Sequence, residues 1–224
     1  MKAGIVVFPG SNCDRDAYDA ITKQMRGEAT MLWHDERADL KKFDLIILPG
    51  GFSYGDYLRT GAIARFAPVM NDVVAFANKG GLVLGICNGF QILTECGLLP
   101  GALVKNKSLK FICDNVALKI ESTDTPFTRA YTKHQLITLP VAHGEGNYTA
   151  DADVIQQLED QQRVIFRYVE DVNGSANNIA GIVNEQRNVL GLMPHPERTL
   201  WKNETFSGDG AGVFASIANA LVNA

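Results

Sequence analysis

Residues 82–93 read LVLGICNGFQIL, and the fold expected for this chain follows from them. The apolar run Leu82–Ile86 predicts a buried strand, and the residues from Asn88 onward have a helical pattern. Between them lies Gly-x-Cys-x-Gly, with Cys87 at its centre. A nucleophile at a sharp strand-to-helix turn needs a strained backbone, and the flanking glycines remove Cβ atoms that would clash there. The stretch therefore predicts a nucleophile elbow.

Cys87 is the candidate nucleophile, because the positive end of the following helix favours its thiolate. The alternative is a buried structural cysteine, since free cysteines are commonly buried. Cys96 and Cys113 are interpreted as structural or incidental, and Cys13 is a modest rival that no glycine follows. The sequence has no Cys-x-x-Cys pair, which argues against a structural zinc site, and no metal is expected.

Outward from this stretch, short apolar runs bounded by Gly and Pro alternate with longer stretches that can form helices. Strands are predicted at Gly4–Phe8, Thr30–Trp33, Leu45–Leu48 and Leu82–Ile86. Helices are predicted at Asp14–Arg26, at Ala62–Asn78, which Pro68 is expected to start or kink, and from Asn88. Shorter β-like runs follow at Asn115–Ile120, Arg163–Tyr168, Ile179–Val183 and Val189–Met193, before an amphipathic helix at Gly210–Ala224. This order predicts one α/β domain, residues 1–224, with a central, mostly parallel sheet flanked by helices and a mixed or antiparallel extension.

A cysteine nucleophile that acts on an amide needs a histidine base. His34 and His134 are interpreted as surface or packing residues; His134 has no acidic residue two positions on, whereas His34 is followed by Asp35 and Glu36. Residues 143–145 (HGE) and 195–197 (HPE) each pair histidine with glutamate at a spacing that points both side chains the same way in an extended segment. Prolines restrict the second segment, which favours its histidine and glutamate. The alternative there is a proline-rich turn with a surface ion pair.

Negative charge on the carbonyl oxygen of an attacked amide needs fixed backbone donors. Asn88 offers one N–H by its position after the nucleophile. Residues 45–52 read LIILPGGF, a predicted strand that ends in a paired-glycine turn. The backbone of such a turn can approach a substrate closely, and a purely structural turn is the alternative.

The composition argues against several other functions. The 224 residues carry 21 Lys and Arg against 25 Asp and Glu, a net charge of −4, so binding of nucleic acid is not expected. No run of about 18 apolar residues occurs, so no membrane-spanning helix is expected, and a cytoplasmic location is the expectation. The nucleotide-binding patterns Gly-x-x-x-x-Gly-Lys and Gly-x-Gly-x-x-Gly are missing, so no cofactor is expected in this chain.

Taken together, the motifs resemble those of triad-type, class I glutamine amidotransferases in order, spacing and local context, over nearly the whole chain. The motifs are PGG at residues 49–51, GICNGFQ at residues 85–91 and HPE at residues 195–197. The strings PGGFSYGDYLR at residues 49–59 and AHGEG at residues 142–146 are more specific. With CNGFQ, they resemble the glutaminase subunits of phosphoribosylformylglycinamidine synthases.

The resemblance implies the single-domain fold of class I glutamine amidotransferases and a role for each matching residue. The implied roles are Cys87 as nucleophile, His195 as acid and base, Glu197 as orienting carboxylate, the N–H groups of Gly51 and Asn88 as oxyanion donors, and Gln91 as a contact for the substrate glutamine.

The family also implies partners. Ammonia from glutamine would pass to a large synthetase subunit that uses ATP and Mg to convert formylglycinamide ribonucleotide to formylglycinamidine ribonucleotide in purine synthesis, and a small third subunit would join them. His143 and Glu145 are candidate partner contacts, with a flexible loop as the alternative. Three other functions stay open: the glutaminase of another biosynthetic pathway, a stand-alone cysteine hydrolase of the same fold, and a non-catalytic binding or scaffold protein.

Overall fold

The computed structural model describes residues 1–205 and 207–222. The strands are β1 (Lys2–Val7), β2 (Glu28–Trp33), β3 (Leu45–Leu48), β4 (Leu82–Ile86), β5 (Ala102–Val104), β6 (Ile112–Ile120), β7 (Leu136–His143), β8 (Asn147–Thr149), β9 (Val164–Tyr168), β10 (Ile179–Val183) and β11 (Val189–Leu192). The α-helices are α1 (Asp14–Asp19), α2 (Pro68–Asn78), α3 (Asn88–Glu95), α4 (Ala152–Asp160) and α5 (Ala211–Val222). None of these helices is long and apolar enough to span a bilayer.

Within the described residues, nine strands form one sheet in the order β2-β1-β3-β4-β11-β10-β9-β6-β7. The five strands from β2 to β11 pair in parallel, and the remaining pairs are antiparallel. The central strands β3 and β4 are almost wholly buried, which explains their continuous apolar sequences. The predicted parallel sheet with an antiparallel extension is therefore confirmed.

The carboxyl ends of three neighbouring parallel strands place the predicted motifs side by side. Leu48 at the end of β3 pairs with Gly85, and Ile86 at the end of β4 pairs with Leu192 of β11. The paired glycines, the elbow cysteine and the HPE segment all follow these ends. Open α/β sheets bind their ligands at this edge, where the loops after the strands converge.

The antiparallel extension returns to the same edge. Its last strand, β7, is farthest from β2 in the sheet order, yet Pro140 O of β7 accepts a hydrogen bond of 2.8 Å from His195 N. The extension therefore curls back over the carboxyl ends of the parallel strands. β7 was not predicted, although it alternates buried and partly exposed residues as a half-buried strand does.

Two predicted helices have different bounds in the structure. The second helix, α2, begins at Pro68, one of the two roles expected for this proline in the stretch Ala62–Asn78, and not at Ala62. Proline disfavours a helical conformation in the residue before it, and Ala67 is extended. The helix predicted over Asp14–Arg26 is divided into α1 and a π-helical segment, Ala20–Gln24, and ends before Arg26. Three short elements, β5, β8 and α4, were not predicted. The closing helix is confirmed as α5, and its predicted last residues, 223 and 224, lie outside the described part.

The contact between α3 and β3 requires glycine at position 89. A Cβ atom there would lie 1.9 Å from Leu48 O, a backbone atom that a rotamer change cannot move. We therefore expect Gly89→Ala to lower the free energy of unfolding by about 3 kcal/mol, measured by urea denaturation. Gly80→Ala is the control: its Cβ meets nothing within 4 Å, and only its φ of +89° opposes alanine. It should cost about 1 kcal/mol. Equal losses in the two variants would contradict the close contact.

Candidate active site

Cys87 sits in a strained turn between β4 and α3. Its φ of 51° and ψ of −104° lie in a region that L-residues rarely adopt. The turn is held by hydrogen bonds on both sides, since Cys87 N donates to Leu192 O at 2.8 Å and Phe90 N donates to Cys87 O at 3.0 Å. The cysteine is only 5% exposed, and its Sγ lies 3.7 Å from Ala142 O of β7. The backbone therefore has the geometry of a nucleophile elbow.

His195 and Glu197 form a buried pair beside this cysteine. His195 Nδ1 and Glu197 Oε1 are 2.7 Å apart, and both side chains are almost fully buried. The surface ion pair that the sequence left open is therefore not what the structure contains. Gly50 shows how close the pair is to the nucleophile: a Cβ at Gly50 would lie 2.7 Å from His195 Cε1 and 3.4 Å from Cys87 Cβ.

The pKa of His195 lies well above its ordinary value. Burial lowers this pKa, but the charges of Glu197 and Cys87, with hydrogen bonds to Cys13 and Cys87, raise it by more. The protonated imidazole is thus stabilised by Glu197 on one side and by thiolate charge on the other. Because Nδ1 is bound to Glu197, Nε2 is the nitrogen that interacts with the two thiols and can exchange a proton with a reacting group.

The predicted oxyanion donors lie near the nucleophile on two elements, since Asn88 follows Cys87 in the chain and Gly51 lines the same cavity. Asn88 is the first residue of α3, and an N–H in the first turn of a helix has no acceptor within the helix. Gly51 has a φ of +148°, and a Cβ there would lie 2.8 Å from Gly10 O, so this close turn requires glycine. The donor roles of both residues stay predictions, which the geometry allows.

A hydrogen-bond chain orients Gln91. Its Oε1 accepts from Asn88 Nδ2 at 3.0 Å, and its Nε2 donates to Glu145 O at 2.6 Å. The chain joins α3 to the loop after β7. It also holds the HGE segment against the nucleophile's helix.

A cavity of about 180 Å³ opens beside Cys87. Five residues singled out from the sequence line it: Gly51, Cys87, Gln91, His143 and Glu145. His195 and Glu197 do not line it; His195 borders a neighbouring cavity of about 350 Å³. A space of the smaller size suits one free amino acid. The nucleophile and the histidine therefore approach a ligand from different sides.

Cys13, which the sequence offered only as a modest rival to Cys87, also lies in this region. Cys13, His195 and Glu197 each have an atom that could bind a metal ion, and these three atoms lie within 4.8 Å of one another. Within the described part of the chain, no other three residues of these types are arranged in this way. Arg198 Nη2 donates to Cys13 Sγ at 3.2 Å, and burial raises the pKa of the Cys13 thiol. Because His195 and Glu197 already bond each other, the group acts first as a hydrogen-bonded cluster. Its position after β1, at the ligand-binding edge, was the available signal.

The comparisons with known proteins agree with this geometry. Residues 1–208 match the family described as the CobB/CobQ-like glutamine amidotransferase domain. A relative from Synechococcus elongatus, named phosphoribosylformylglycinamidine synthase subunit PurQ, is 57% identical over 220 residues, covering 97% of each chain. The protein of the same name from Trichormus variabilis is 56% identical over 226 residues, covering 99% of each chain.

Solved structures show the same likeness. A chain in the structure of PurLQS from Thermotoga maritima has a TM-score of 0.89 and 50% identity, over 98% of each chain. Another glutamine amidotransferase from Thermotoga maritima has a TM-score of 0.57 at 17% identity, covering 88% of this chain and 76% of that one, and supports the fold alone. On these matches, the chain belongs to the family of phosphoribosylformylglycinamidine synthase PurQ subunits, within the CobB/CobQ-like glutamine amidotransferases.

Proposed function

We propose that this chain, residues 1–224, is one glutaminase domain that hydrolyses glutamine to glutamate and ammonia at Cys87. One observation carries the proposal: a strained, buried cysteine meets a buried His–Glu pair beside a cavity of amino-acid size. Membership of the chain in the PurQ family supports the same glutaminase activity.

The residues divide the reaction between them. The Cys87 thiolate adds to the γ-carbonyl carbon of glutamine, and the N–H groups of Gly51 and Asn88 stabilise the negative oxygen. His195 donates a proton to the leaving nitrogen, so the C–N bond breaks and ammonia departs. A water molecule that His195 deprotonates then attacks the γ-glutamyl thioester, and breakage of the C–S bond releases glutamate and restores the thiolate. Glu197 orients His195 throughout.

The ammonia needs an acceptor outside this chain. The relatives are named as subunits of phosphoribosylformylglycinamidine synthase, and the Thermotoga maritima structure is of PurLQS. We therefore assign as partners a large synthetase subunit, which uses ATP and Mg to convert formylglycinamide ribonucleotide, and a small third subunit. The same assignment predicts a cytoplasmic location.

Exposed apolar side chains near the cavity support a partner on this face. Phe52 and Phe111 line the cavity, and more than two fifths of each residue is exposed. Leu58, in the same loop as Phe52, is 94% exposed and has a φ of 72°. A partner that covers them would gain hydrophobic energy. Glu145 stays a predicted partner contact, whereas the ring of His143 is buried.

Reconstitution tests the proposal against a stand-alone hydrolase. We expect the isolated chain to hydrolyse glutamine slowly, and the rate to rise about tenfold or more when the synthetase subunit and its substrates are added, as a coupling energy of 1–3 kcal/mol allows. Release of glutamate is the measurement, and serum albumin in place of the synthetase is the control. Full activity of the chain alone would favour the stand-alone hydrolase, and activation by a different synthetase would favour another pathway.

A further inference from the structure

One wall of the cavity beside Cys87 consists of hydrogen-bond acceptors. Three side chains form this acceptor wall: Asp56, His143 and Glu145. Neither Asp56 Oδ1 nor His143 Nε2 has a partner, although both atoms are buried. Buried polar atoms without partners are rare in folded proteins, so these two are arranged for a ligand that supplies donors.

The protonation of His143 follows from its neighbours. His143 Nδ1 lies 3.1 Å from Asn106 Oδ1, which also accepts a hydrogen bond from Gly146 N at 3.0 Å. Asn106 Nδ2 donates to His143 O, so the asparagine oxygen is the acceptor and Nδ1 carries the proton. Burial and the charge of His195 lower the pKa of His143 to about 4. At neutral pH, Nε2 therefore carries a lone pair and no proton.

The other two groups, Asp56 and Glu145, bring negative charge to a cavity that no lysine or arginine lines. Burial and the nearby Glu145 carboxylate raise the pKa of Asp56 to about 6, so Asp56 is ionised at pH 8. Glu145 Oε2 accepts a hydrogen bond of 2.6 Å from Thr60 Oγ1, a neutral group. Arg59 of the same loop interacts with Glu145 electrostatically, but its direct ion pair is with Glu95, Nε to Oε1 2.6 Å. The missing partner is a cation.

The loop that carries Asp56 is held in a costly conformation. Tyr54, Gly55 and Asp56 have consecutive φ values of 54°, 69° and 56°. Hydrogen bonds from Tyr54 N to Pro9 O and from Gly55 N to Phe52 O maintain it. Backbone strain of this kind is commonly found at ligand-binding sites, where it holds a side chain in a fixed position.

The geometry points to the acceptor wall as the subsite for the α-ammonium group of free glutamine, with Asp56 as its ion-pair partner. The inference rests on the proposed glutaminase function and adds how the amino acid is recognised. The ammonium group has three donors and one positive charge, which match an ionised carboxylate and a histidine lone pair. Its γ-amide would then extend toward Cys87, which lines the same cavity. Asp56 thereby selects an α-amino acid over other primary amides.

The test compares two substrates on the full-length chain with the synthetase present: L-glutamine, and glutaramate, which is glutamine without its α-amino group. We expect Asp56→Asn to raise KM for glutamine about 10- to 100-fold with kcat within about threefold, as expected for loss of a charged hydrogen bond. KM for glutaramate should be the same in wild type and variant. Glu145→Gln should raise KM for glutamine less, because Thr60 already satisfies one oxygen.

Matched controls separate recognition from folding. Asp153→Asn removes an equal charge from an exposed position that lines neither this cavity nor the one bordered by His195, and it should leave KM unchanged. The pKa of Asp56 is raised to about 6 in the folded protein, so its ionised form destabilises the fold at pH 8. Asp56→Asn should therefore melt at a higher temperature than wild type at pH 8. This difference should fall as the pH drops from 6 toward 4. An equal rise of KM for both substrates, or no rise for glutamine, would overturn the subsite. No glutamine turnover by wild type would overturn the proposed function, and the subsite with it.

Discussion

Cys87→Ala is expected to abolish glutamine-dependent synthesis in the reconstituted complex, while synthesis supplied with ammonium continues at the wild-type rate. Removal of the sulfur removes the atom that would carry the γ-glutamyl group, so kcat with glutamine should fall about 10⁴-fold or more. The synthetase reaction itself needs only ammonia and does not involve this thiol. Formation of the amidine product, measured with glutamine and then with ammonium chloride, checks both halves of the expectation.

Cys13→Ser is the matched control for this experiment. Cys13 is also buried and lies beside His195, so it is the other thiol that could act as nucleophile. A glutamine-like chloroketone should label wild type and Cys13→Ser, but not Cys87→Ala. Labelling of Cys87→Ala at Cys13, or loss of ammonium-dependent synthesis in that variant, would show that Cys87 does not have the role proposed for it.

The elbow and the His–Glu pair could be predicted because their signals are local. Gly85 and Gly89 lie within two residues of Cys87, and their close contacts with neighbouring atoms are the physical reason for the pattern. Proline on either side of His195 restricts a segment of three residues. In both cases the chemistry needs a particular backbone conformation, and the residue types that permit that conformation are visible in the sequence.

The rest of the site depends on contacts between distant segments. Cys13 reaches His195 because β1 and β11 end at the same edge, and no local pattern joins positions 182 residues apart. The cavity wall combines the loop after β3 with the loop after β7. That contact needs the antiparallel extension to curl, which depends on packing of the whole sheet. Local sequence patterns therefore indicated the candidate reacting groups, but not Cys13 and Asp56, which distant segments bring to the same region.

The Cys87 turn and the loop around Asp56 place strain at the same cavity. Both have non-glycine residues at positive φ, and both are supported by backbone hydrogen bonds from other segments. A glutamine molecule that bridges them would contact the nucleophile at one end and the acceptor wall at the other. The length of the substrate's side chain would then determine whether its amide carbonyl reaches Cys87. The cavity could distinguish glutamine from the shorter asparagine in this way.

Glu197→Gln is expected to lower kcat/KM for glutamine by about 10²- to 10⁴-fold without loss of folding. Glutamine is nearly isosteric with glutamate, so its amide oxygen can still accept the proton of His195 Nδ1 at the position where Oε1 now lies 2.7 Å away. What disappears is the negative charge that stabilises the imidazolium. Ammonium-dependent synthesis should stay unchanged, since Glu197 serves only the glutaminase step.

The pH profile distinguishes this charge effect from a distorted site. The charge of Glu197 raises the pKa of His195 against the effect of burial, so the imidazolium persists to higher pH in wild type. Without that charge the imidazolium loses its proton at lower pH, and the alkaline limb of kcat/KM should move to lower pH in Glu197→Gln. Glu185→Gln, at an exposed position 80% open to solvent, should reproduce the wild-type profile. A lower rate with an unmoved alkaline limb would mean that Glu197 acts by holding the ring in place and not through its charge.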